Sequence, residues 1–225
     1  PMNLASTLPV LFDCDGVVLD SNEIKTQAFR VALEGEPEER IEALLVHHRA
    51  TGGVSRYEKL NRYFSESGLA GTPLERAVEA ALQRFTAHVR DALVACPMVP
   101  GAEALLRTLH DASRRVFLVS GGDQAELEAV FAARGIDQLF ESIHGSPKPK
   151  DKHLSALRDA GVLDAGGVFF GDARLDMEVA DAFGLDFVFV AGVSDWDQGR
   201  DVARAAGHRV VEDLSDPTIP ETLGL

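Results

Sequence analysis

Four aspartates stand at two points of the chain where a short apolar run gives way to polar residues. Asp13 and Asp15 follow one run, and Asp172 and Asp176 follow another in the second half of the sequence. Bringing four carboxylates together concentrates negative charge at an energetic cost that a hard divalent cation relieves, and oxygen ligands are typical of Mg²⁺. The pattern therefore predicts a magnesium site. For any one of these aspartates, a helix cap or a turn is an equally good explanation.

Five short apolar runs are typical of buried parallel strands, because they are brief and rich in β-branched or aromatic residues. They are Leu8 to Phe12, Val116 to Val119, Val168 to Phe170, Phe187 to Val190 and Arg209 to Val211. Helical patterns alternate with these runs in the second half of the chain, which predicts an α/β fold with a doubly wound parallel sheet covered by helices. Ligands bind at the carboxyl ends of such strands, where the aspartates stand.

The second apolar run is followed by polar and glycine residues and then by the start of a helix. Ser120 and Gly121 come first, and Asp123 then occupies an N-cap position with Glu126 three residues later, as in a capping box. Ser120 therefore belongs to the same edge of the predicted sheet as the aspartates, where it is either a binding residue or only a turn former.

The pattern changes between residues 21 and 95, where helical periodicity continues without a convincing strand. Glycine and proline residues divide this segment into helices and mark the return to the sheet, at Gly35 to Pro37, Gly52-Gly53, Gly68 to Pro73 and Pro97 to Gly101. We predict a small all-helical domain at 21–95, inserted after the first strand of a core made of 1–20 and 96–225.

The charge balance restricts the class of partner. Thirty-six acidic residues against 22 Lys and Arg residues give a formal net charge of −14 in 225 residues. Such a surface repels nucleic acid and anionic lipid, so we expect neither as a partner. A small anionic substrate needs a local reversal of this field, which a metal ion and a few focused cations can supply.

The sequence gives no sign of membrane insertion or export. No apolar run approaches the ~20 residues that span a bilayer, and residues 2–7 lack the basic and apolar regions of a secretory signal. Cys14 and Cys96 form no metal-binding spacing and are predicted to be unpaired. We expect a cytoplasmic protein that is a monomer or a homodimer.

Four motifs in order give the chain a resemblance to the haloacid dehalogenase superfamily of phosphotransferases over nearly its whole length. They are Phe12-Asp13-Cys14-Asp15-Gly16-Val17, then Ser120, then a lysine within Gly145-Ser146-Pro147-Lys148-Pro149-Lys150, and finally Gly171-Asp172 with Asp176. The resemblance implies a Rossmann-like core with these motifs at its strand ends.

The resemblance also implies a role for each motif residue. Asp13 would attack phosphorus and become an aspartyl-phosphate, while Asp15 would protonate the leaving oxygen and then deprotonate the attacking water. Because a nucleophile must be ionised and an acid protonated, the two carboxyl groups need environments that separate their pKa values. Ser120 Oγ and the Gly121 backbone N–H would bind the phosphoryl oxygens.

The motif lysine, which would steady both Asp13 and the phosphoryl group, is ambiguous because Lys148, Lys150 and Lys152 are close in sequence. We prefer Lys150, which precedes the apolar Leu154 by one helical turn, and Lys148 is its rival for this role. Lys148 is also a candidate substrate-binding residue.

The metal ligands implied by the resemblance come from the four aspartates. They are the carboxylates of Asp13 and Asp172 and the backbone carbonyl of Asp15, and Asp176 would act through water or through a neighbouring ligand.

The helical insertion resembles the cap of relatives that include phosphoglycolate phosphatases, β-phosphoglucomutases and phosphonoacetaldehyde hydrolases. Such a cap closes over the site and excludes water. The stretch from Thr51 to Arg56 resembles its substrate loop, in which Arg56 would bind a distal anionic group and the glycines would let the backbone approach closely. A helix start with an exposed arginine is an equally good explanation.

Together these features predict a Mg²⁺-dependent phosphatase that acts on a small phosphorylated metabolite through an aspartyl-phosphate. A phosphomutase of the β-phosphoglucomutase type has the same four motifs and is the main alternative. A dehalogenase is disfavoured because its mechanism needs no acid at the position of Asp15. A catalytically silent binding protein on the same scaffold is a further alternative, since a fold alone does not prove activity.

Overall fold

A computed structural model of the protein describes residues 7–225, so the first six residues of the predicted core lie outside the described part. The strands are β1 (Val10–Phe12), β2 (Val116–Asp123), β3 (Ser142–Ser146), β4 (Val168–Gly171), β5 (Asp186–Val190) and β6 (Arg209–Val211). They form one sheet in the order β3-β2-β1-β4-β5-β6, and all neighbours are parallel. The predicted α/β fold with a parallel sheet is confirmed.

Ten α-helices accompany the strands within the described residues. They are α1 (Asn22–Ala32), α2 (Glu38–Ala50), α3 (Arg56–Glu66), α4 (Gly71–Ala95), α5 (Ala102–Asp111), α6 (Gln124–Ala133), α7 (Lys150–Asp159), α8 (Arg174–Phe183), α9 (Gly199–Ala205) and α10 (Ile219–Leu223).

The five predicted strands are all present, and β3 is a sixth strand that was not predicted. Its segment, Ser142–Ser146, lies at an edge of the sheet and its first three side chains are only half-buried. An edge strand with one neighbour needs no continuous apolar run, so the pattern that found the central strands could not find this one. β2 also extends beyond the predicted Val119 to Asp123, with an irregular register against β3.

The sheet is buried on both faces because its central strands alternate side chains between two apolar layers. Phe12 of β1 belongs to one layer and stacks on Phe170 of β4 with ring centroids 4.9 Å apart. Leu11 belongs to the other layer together with Phe169. Strand order reverses around β1, which lies between β2 and β4, and this switch point is where open α/β sheets bind ligands.

Five helices, α1 to α5, lie between the first two strands, and α1 to α4 make up the helical insertion. Residues 21–95, all of which the structure describes, contain no strand. Phe29 of α1 packs edge-on against Phe85 of α4 with centroids 4.8 Å apart, which joins the two helices through a buried apolar contact. The helical insertion agrees with the prediction, and its boundaries at 20/21 and 95/96 stay a prediction.

Two further expectations concern cysteines and membranes. Cys14 and Cys96 are both buried free thiols. Within residues 7–225, every helix is too short or too polar to cross a bilayer.

Candidate active site

Three of the four predicted aspartates meet at the carboxyl ends of β1 and β4. The backbone N–H of Asp13 donates to Phe170 O at 2.9 Å, which fixes the end of β1 against β4. Carboxylate oxygens of Asp13, Asp172 and Asp176 all lie within 4.8 Å of one another, and all three side chains are buried. Asp15 is outside this cluster, because its carboxylate turns into the neighbouring pocket and accepts a hydrogen bond from Ser21 Oγ at 2.5 Å.

A buried lysine lies within the acidic cluster. Lys150 Nζ is 2.8 Å from Asp13 Oδ1 and 2.6 Å from Asp176 Oδ1, and the residue is 2% exposed. Its rivals Lys148 and Lys152 are exposed, and Lys148 does not line the pocket beside Asp13. The first turn of α7 therefore directs Lys150, and not its two neighbours, toward Asp13.

The charge in this cluster is unbalanced. Burial raises the pKa of Asp13 to about 7, with Lys150 opposing that shift and Asp176 adding to it. Burial and the charge of Asp13 raise the pKa of Asp172 well above its usual range. Three carboxylates face one ammonium group, so ionising all of them requires another positive charge. This buried donor set, made of carboxylate oxygens, fits a hard divalent cation such as Mg²⁺.

Asp176 caps a helix, which is one of the two interpretations that the sequence left open, and it also belongs to the acidic cluster. Its Oδ2 accepts from the Ala173 backbone N–H at 3.1 Å, which caps the start of α8, while its Oδ1 contacts Lys150. Asp172 Oδ2 accepts from Asn22 Nδ2 at 2.8 Å. The aspartates are thus held in place by α1, α7 and α8 as well as by the strands.

Ser120 and Gly121 lie at the end of β2 beside the same pocket. Ser120 is buried, and its Oγ accepts from the Gly122 backbone N–H at 3.0 Å. A Cβ at Gly121 would lie 2.2 Å from Gly53 O, and a Cβ at Gly52 would lie 2.8 Å from the Cβ of Ala173. The loop between α2 and α3 therefore packs directly on the strand ends, as the two glycines predicted.

One pocket joins the acidic cluster to the helical insertion. Its cavity is about 70 Å³, and both parts of the chain line it. The lining includes Asp13, Asp15, Asn22, Lys25, Phe29, His48, Gly53, Arg56, Lys59, Phe85, Gly121, Asp172 and Trp196. A ligand that reaches the carboxylate of Asp13 is consequently surrounded by cations and aromatic rings of the insertion.

Arg56 lines this pocket but is ion-paired within the chain. The residue is buried, and its Nη1 lies 2.7 Å from Glu126 Oε2, while Lys25 Nζ lies 2.8 Å from Glu126 Oε1. The alternative of an exposed arginine is wrong. Only half of the predicted capping box forms. Asp123 Oδ1 accepts a hydrogen bond from the Glu126 backbone N–H at 2.9 Å, but the Glu126 side chain contacts Lys25 and Arg56 and not the backbone of Asp123. The role of Arg56 in substrate binding stays a prediction.

Three further residues line or support the pocket and were not predicted from the sequence: Lys25, Lys59 and Glu126. Lys59 stands three positions after Arg56, so the two share a face of α3, and this spacing is the signal that could have found it. No comparable local signal marks Lys25 or Glu126, because their contact joins α1 to α6 across a large separation in sequence.

Replacing the buried lysine tests whether it balances the cluster. We expect Lys150→Met to lower the free energy of unfolding by about 3–5 kcal/mol, because Asp13 and Asp176 stay buried without their counter-charge. Lys148→Met, at an exposed position, should change it by less than about 0.5 kcal/mol. Urea denaturation without divalent metal measures both, and equal effects would contradict the assignment.

Comparisons with known proteins agree with this geometry. A family model described as haloacid dehalogenase-like hydrolase matches residues 10–200. A phosphoglycolate phosphatase of Colwellia psychrerythraea is 24% identical over 196 residues, which cover 83% of this chain and 85% of that protein. One of Cereibacter sphaeroides is 29% identical over 188 residues, covering 79% and 82%. The crystal structure of β-phosphoglucomutase from Clostridium difficile superposes with a TM-score of 0.73 at 18% identity, covering 97% of each chain, and shows the same fold.

The family match spans most of the chain, including β1, β2, β4 and the loops that carry the aspartates. It confirms the resemblance found in the four motifs and the prediction of a hydrolase. The chain belongs to the haloacid dehalogenase-like hydrolase family.

Proposed function

We propose that this hydrolase is a Mg²⁺-dependent phosphatase that cleaves a small phosphomonoester through an aspartyl-phosphate on Asp13. The observation that carries the proposal is the placement of the Asp13 carboxylate. It is buried at the floor of a pocket, 2.8 Å from Lys150 Nζ, with Asp15 facing the same space. The relatives named phosphoglycolate phosphatase support a small phosphomonoester as the class of substrate.

In the first step an Asp13 oxygen attacks phosphorus, and the bond from phosphorus to the ester oxygen breaks. Lys150 favours the ionised nucleophile, and Asp15 gives its proton to the departing oxygen. The hydrogen bond from Ser21 Oγ fixes the Asp15 carboxyl group for this transfer. In the second step Asp15 accepts a proton from water as the water oxygen attacks phosphorus, which releases phosphate and restores Asp13.

The metal would be held by the carboxylates of Asp13 and Asp172 and by the backbone carbonyl of Asp15, with Asp176 supporting the site. When bound, Mg²⁺ supplies positive charge that offsets both the clustered carboxylates and the negative charge on phosphoryl oxygens. Ser120 Oγ and the Gly121 N–H bind those oxygens from the β2 side.

Residues 21–95 act as the cap domain over a core of 1–20 and 96–225. The approach of Gly53 to Gly121 brings the cap loop against the strand ends, which excludes water from the pocket. The substrate is a small phosphorylated metabolite, and the protein functions in the cytoplasm as a monomer or homodimer.

The charges in the pocket favour a phosphatase over a phosphomutase. A phosphomutase must hold a second phosphate while the first one reacts, which needs free cations at the far side of the pocket. Here Lys25 and Arg56 are ion-paired with Glu126, and Arg56 Nη2 lies 3.8 Å from Asp123 Oδ2 as well. Among the buried cations that line the pocket in the described part of the chain, Lys59 alone lacks a carboxylate partner, and one such cation is too few for a second phosphate. A requirement for a bisphosphate in assays would support the phosphomutase instead.

Metal dependence is tested by both activity and stability. We expect phosphate release from an aryl phosphate with Mg²⁺ and none after EDTA. Mg²⁺ at about 100 times its Kd should stabilise the fold by about 2.7 kcal/mol, seen as a higher Tm.

Two variants separate the metal site from general effects on stability. Asp172→Asn should remove most of the Mg²⁺-dependent rise in Tm, because it removes a carboxylate ligand. Asp186→Asn, an exposed position at the opposite end of the sheet, should keep that rise. If Mg²⁺ raised the Tm of Asp172→Asn as much as that of the unsubstituted protein, the metal site would be wrongly placed.

A further inference from the structure

A buried ammonium group in the pocket has no carboxylate within ion-pairing distance among residues 7–225. Lys59 is 2% exposed, and its Nζ lies 2.8 Å from His48 Nδ1 and 3.4 Å from His48 O. Burial lowers the pKa of Lys59 to about 7, and Asp15 and Asp195 oppose that shift from longer range. A cation buried without a matching anion is costly, so this position suits an anion brought by a ligand.

His48 does not supply that anion. Burial and the neighbouring Lys59 lower the pKa of His48 to about 2, so the imidazole is neutral and can only accept a hydrogen bond from the ammonium group. The ammonium group has three N–H donors, of which two are directed to His48 Nδ1 and His48 O, so Lys59 keeps one donor for a further partner.

The other buried cations on this side of the pocket are already neutralised. Lys25 and Arg56 contact the two carboxylate oxygens of Glu126, and Asp123 lies beside Arg56. Two positive charges thus meet two negative charges. Lys59 is left without an anionic partner, and a single anion bound beside it would favour its charged form, which matches one monoanionic group better than a second phosphate.

The pocket brings Lys59 within reach of a small ligand anchored at the nucleophile. Lys59 and Asp13 line the same cavity, whose volume of about 70 Å³ is well below the ~300–1,000 Å³ of typical ligand pockets. Phe29 and Phe85 form apolar walls beside the amine, with the ammonium nitrogen 5.9 Å from the Phe29 ring centre. Low polarity of this kind strengthens a charge-assisted hydrogen bond.

We propose that Lys59 binds a carboxylate of the substrate, so that the preferred substrate is a small phosphomonoester with a carboxylate near the ester. This inference rests on the proposed function and names the substrate class of that site. A bisphosphate is disfavoured because its second phosphate would meet Glu126 and only one uncompensated cation.

Two matched substrates test this assignment. 2-Phosphoglycolate carries the carboxylate, and 2-phosphoglycolamide has nearly the same shape without the charge. The unsubstituted protein should have a higher kcat/KM for the acid, and Lys59→Met should reduce that preference by about 10- to 100-fold, the scale of a hydrogen bond to a charged group. The loss should lie mainly in KM for the acid, while Lys59→Arg should retain part of the preference.

Arg62 gives the matched control, because it is an exposed cation on the same helix and pairs with Glu66. Arg62→Met should leave the ratio of the two substrates unchanged. An unchanged ratio in Lys59→Met, or a higher kcat/KM for a sugar bisphosphate than for 2-phosphoglycolate in the unsubstituted protein, would overturn the assignment. Should Lys59→Met fail to fold, Lys59→Gln provides the same removal of charge.

Calorimetry separates this inference from the proposed function. Asp13→Asn should bind 2-phosphoglycolate more tightly than the amide, and adding Lys59→Met should abolish the difference. Absence of hydrolysis by the unsubstituted protein, together with this binding pattern in the Asp13→Asn variants, would contradict the phosphatase but support the carboxylate site. Equal binding of the two ligands by Asp13→Asn would contradict the carboxylate site alone.

Discussion

Asp13→Asn should abolish turnover while leaving the protein folded. An amide cannot displace the ester oxygen, so we expect the rate to fall by about 10⁶-fold, the scale on which covalent enzymes lose activity without their nucleophile. The fold should persist because Lys150 keeps its contact with Asp176. Burial raises the pKa of Asp13 from its usual value of about 4 to about 7. At pH values above about 4 the ionised carboxylate therefore destabilises the metal-free protein, and a neutral amide removes that cost.

The measurement is phosphate release under saturating Mg²⁺, with Tm recorded in the same buffer. Asp20→Asn is the matched control, since Asp20 is an exposed carboxylate close to the same motif. It should keep full activity. Substantial turnover by Asp13→Asn would assign the nucleophile to another residue.

Asp15→Asn should slow hydrolysis of an alkyl phosphate by about 10²–10⁴-fold, the usual contribution of a general acid or base. The effect should depend on the leaving group. An aryl oxide leaves without a proton, so the variant should still form the aspartyl-phosphate from an aryl phosphate but should hydrolyse it slowly. Stopped-flow absorbance should therefore show a burst of the aryl oxide followed by a slow steady state.

The burst distinguishes the two steps assigned to Asp15. A loss of less than about 10-fold with the alkyl phosphate would contradict its role as the acid. Equal slowing of the burst and of the steady state with the aryl phosphate would contradict its role as the base of the second step.

The sequence predicts the positions of the acidic cluster because short-range features determine them. Asp13 and Asp172 follow central strands whose apolar runs are unmistakable, and parallel strands bring their carboxyl ends to one edge of the sheet. Asp176 follows Asp172 by one helical turn. Strand pairing of Phe12 with Phe170 then gives the proximity that the motifs imply.

Side-chain direction is harder to predict than backbone position. The spacing of Lys148 and Lys150 leaves both open, and only the start of α7 shows which one turns inward. Glu126 satisfies a local capping rule, yet its side chain follows the stronger attraction of two buried cations from α1 and α3. The unmatched charge of Lys59 appears only once the carboxylates around it have been located in space.

Trapping the intermediate tests the central claim most directly. Asp15→Asn is mixed with an aryl phosphate and Mg²⁺, quenched in acid during the slow phase, digested and examined by mass spectrometry. We expect the peptide that contains Asp13 to carry one added phosphoryl group on that residue. A phosphoryl group on another side chain, or an unmodified protein during continuing turnover, would contradict the account.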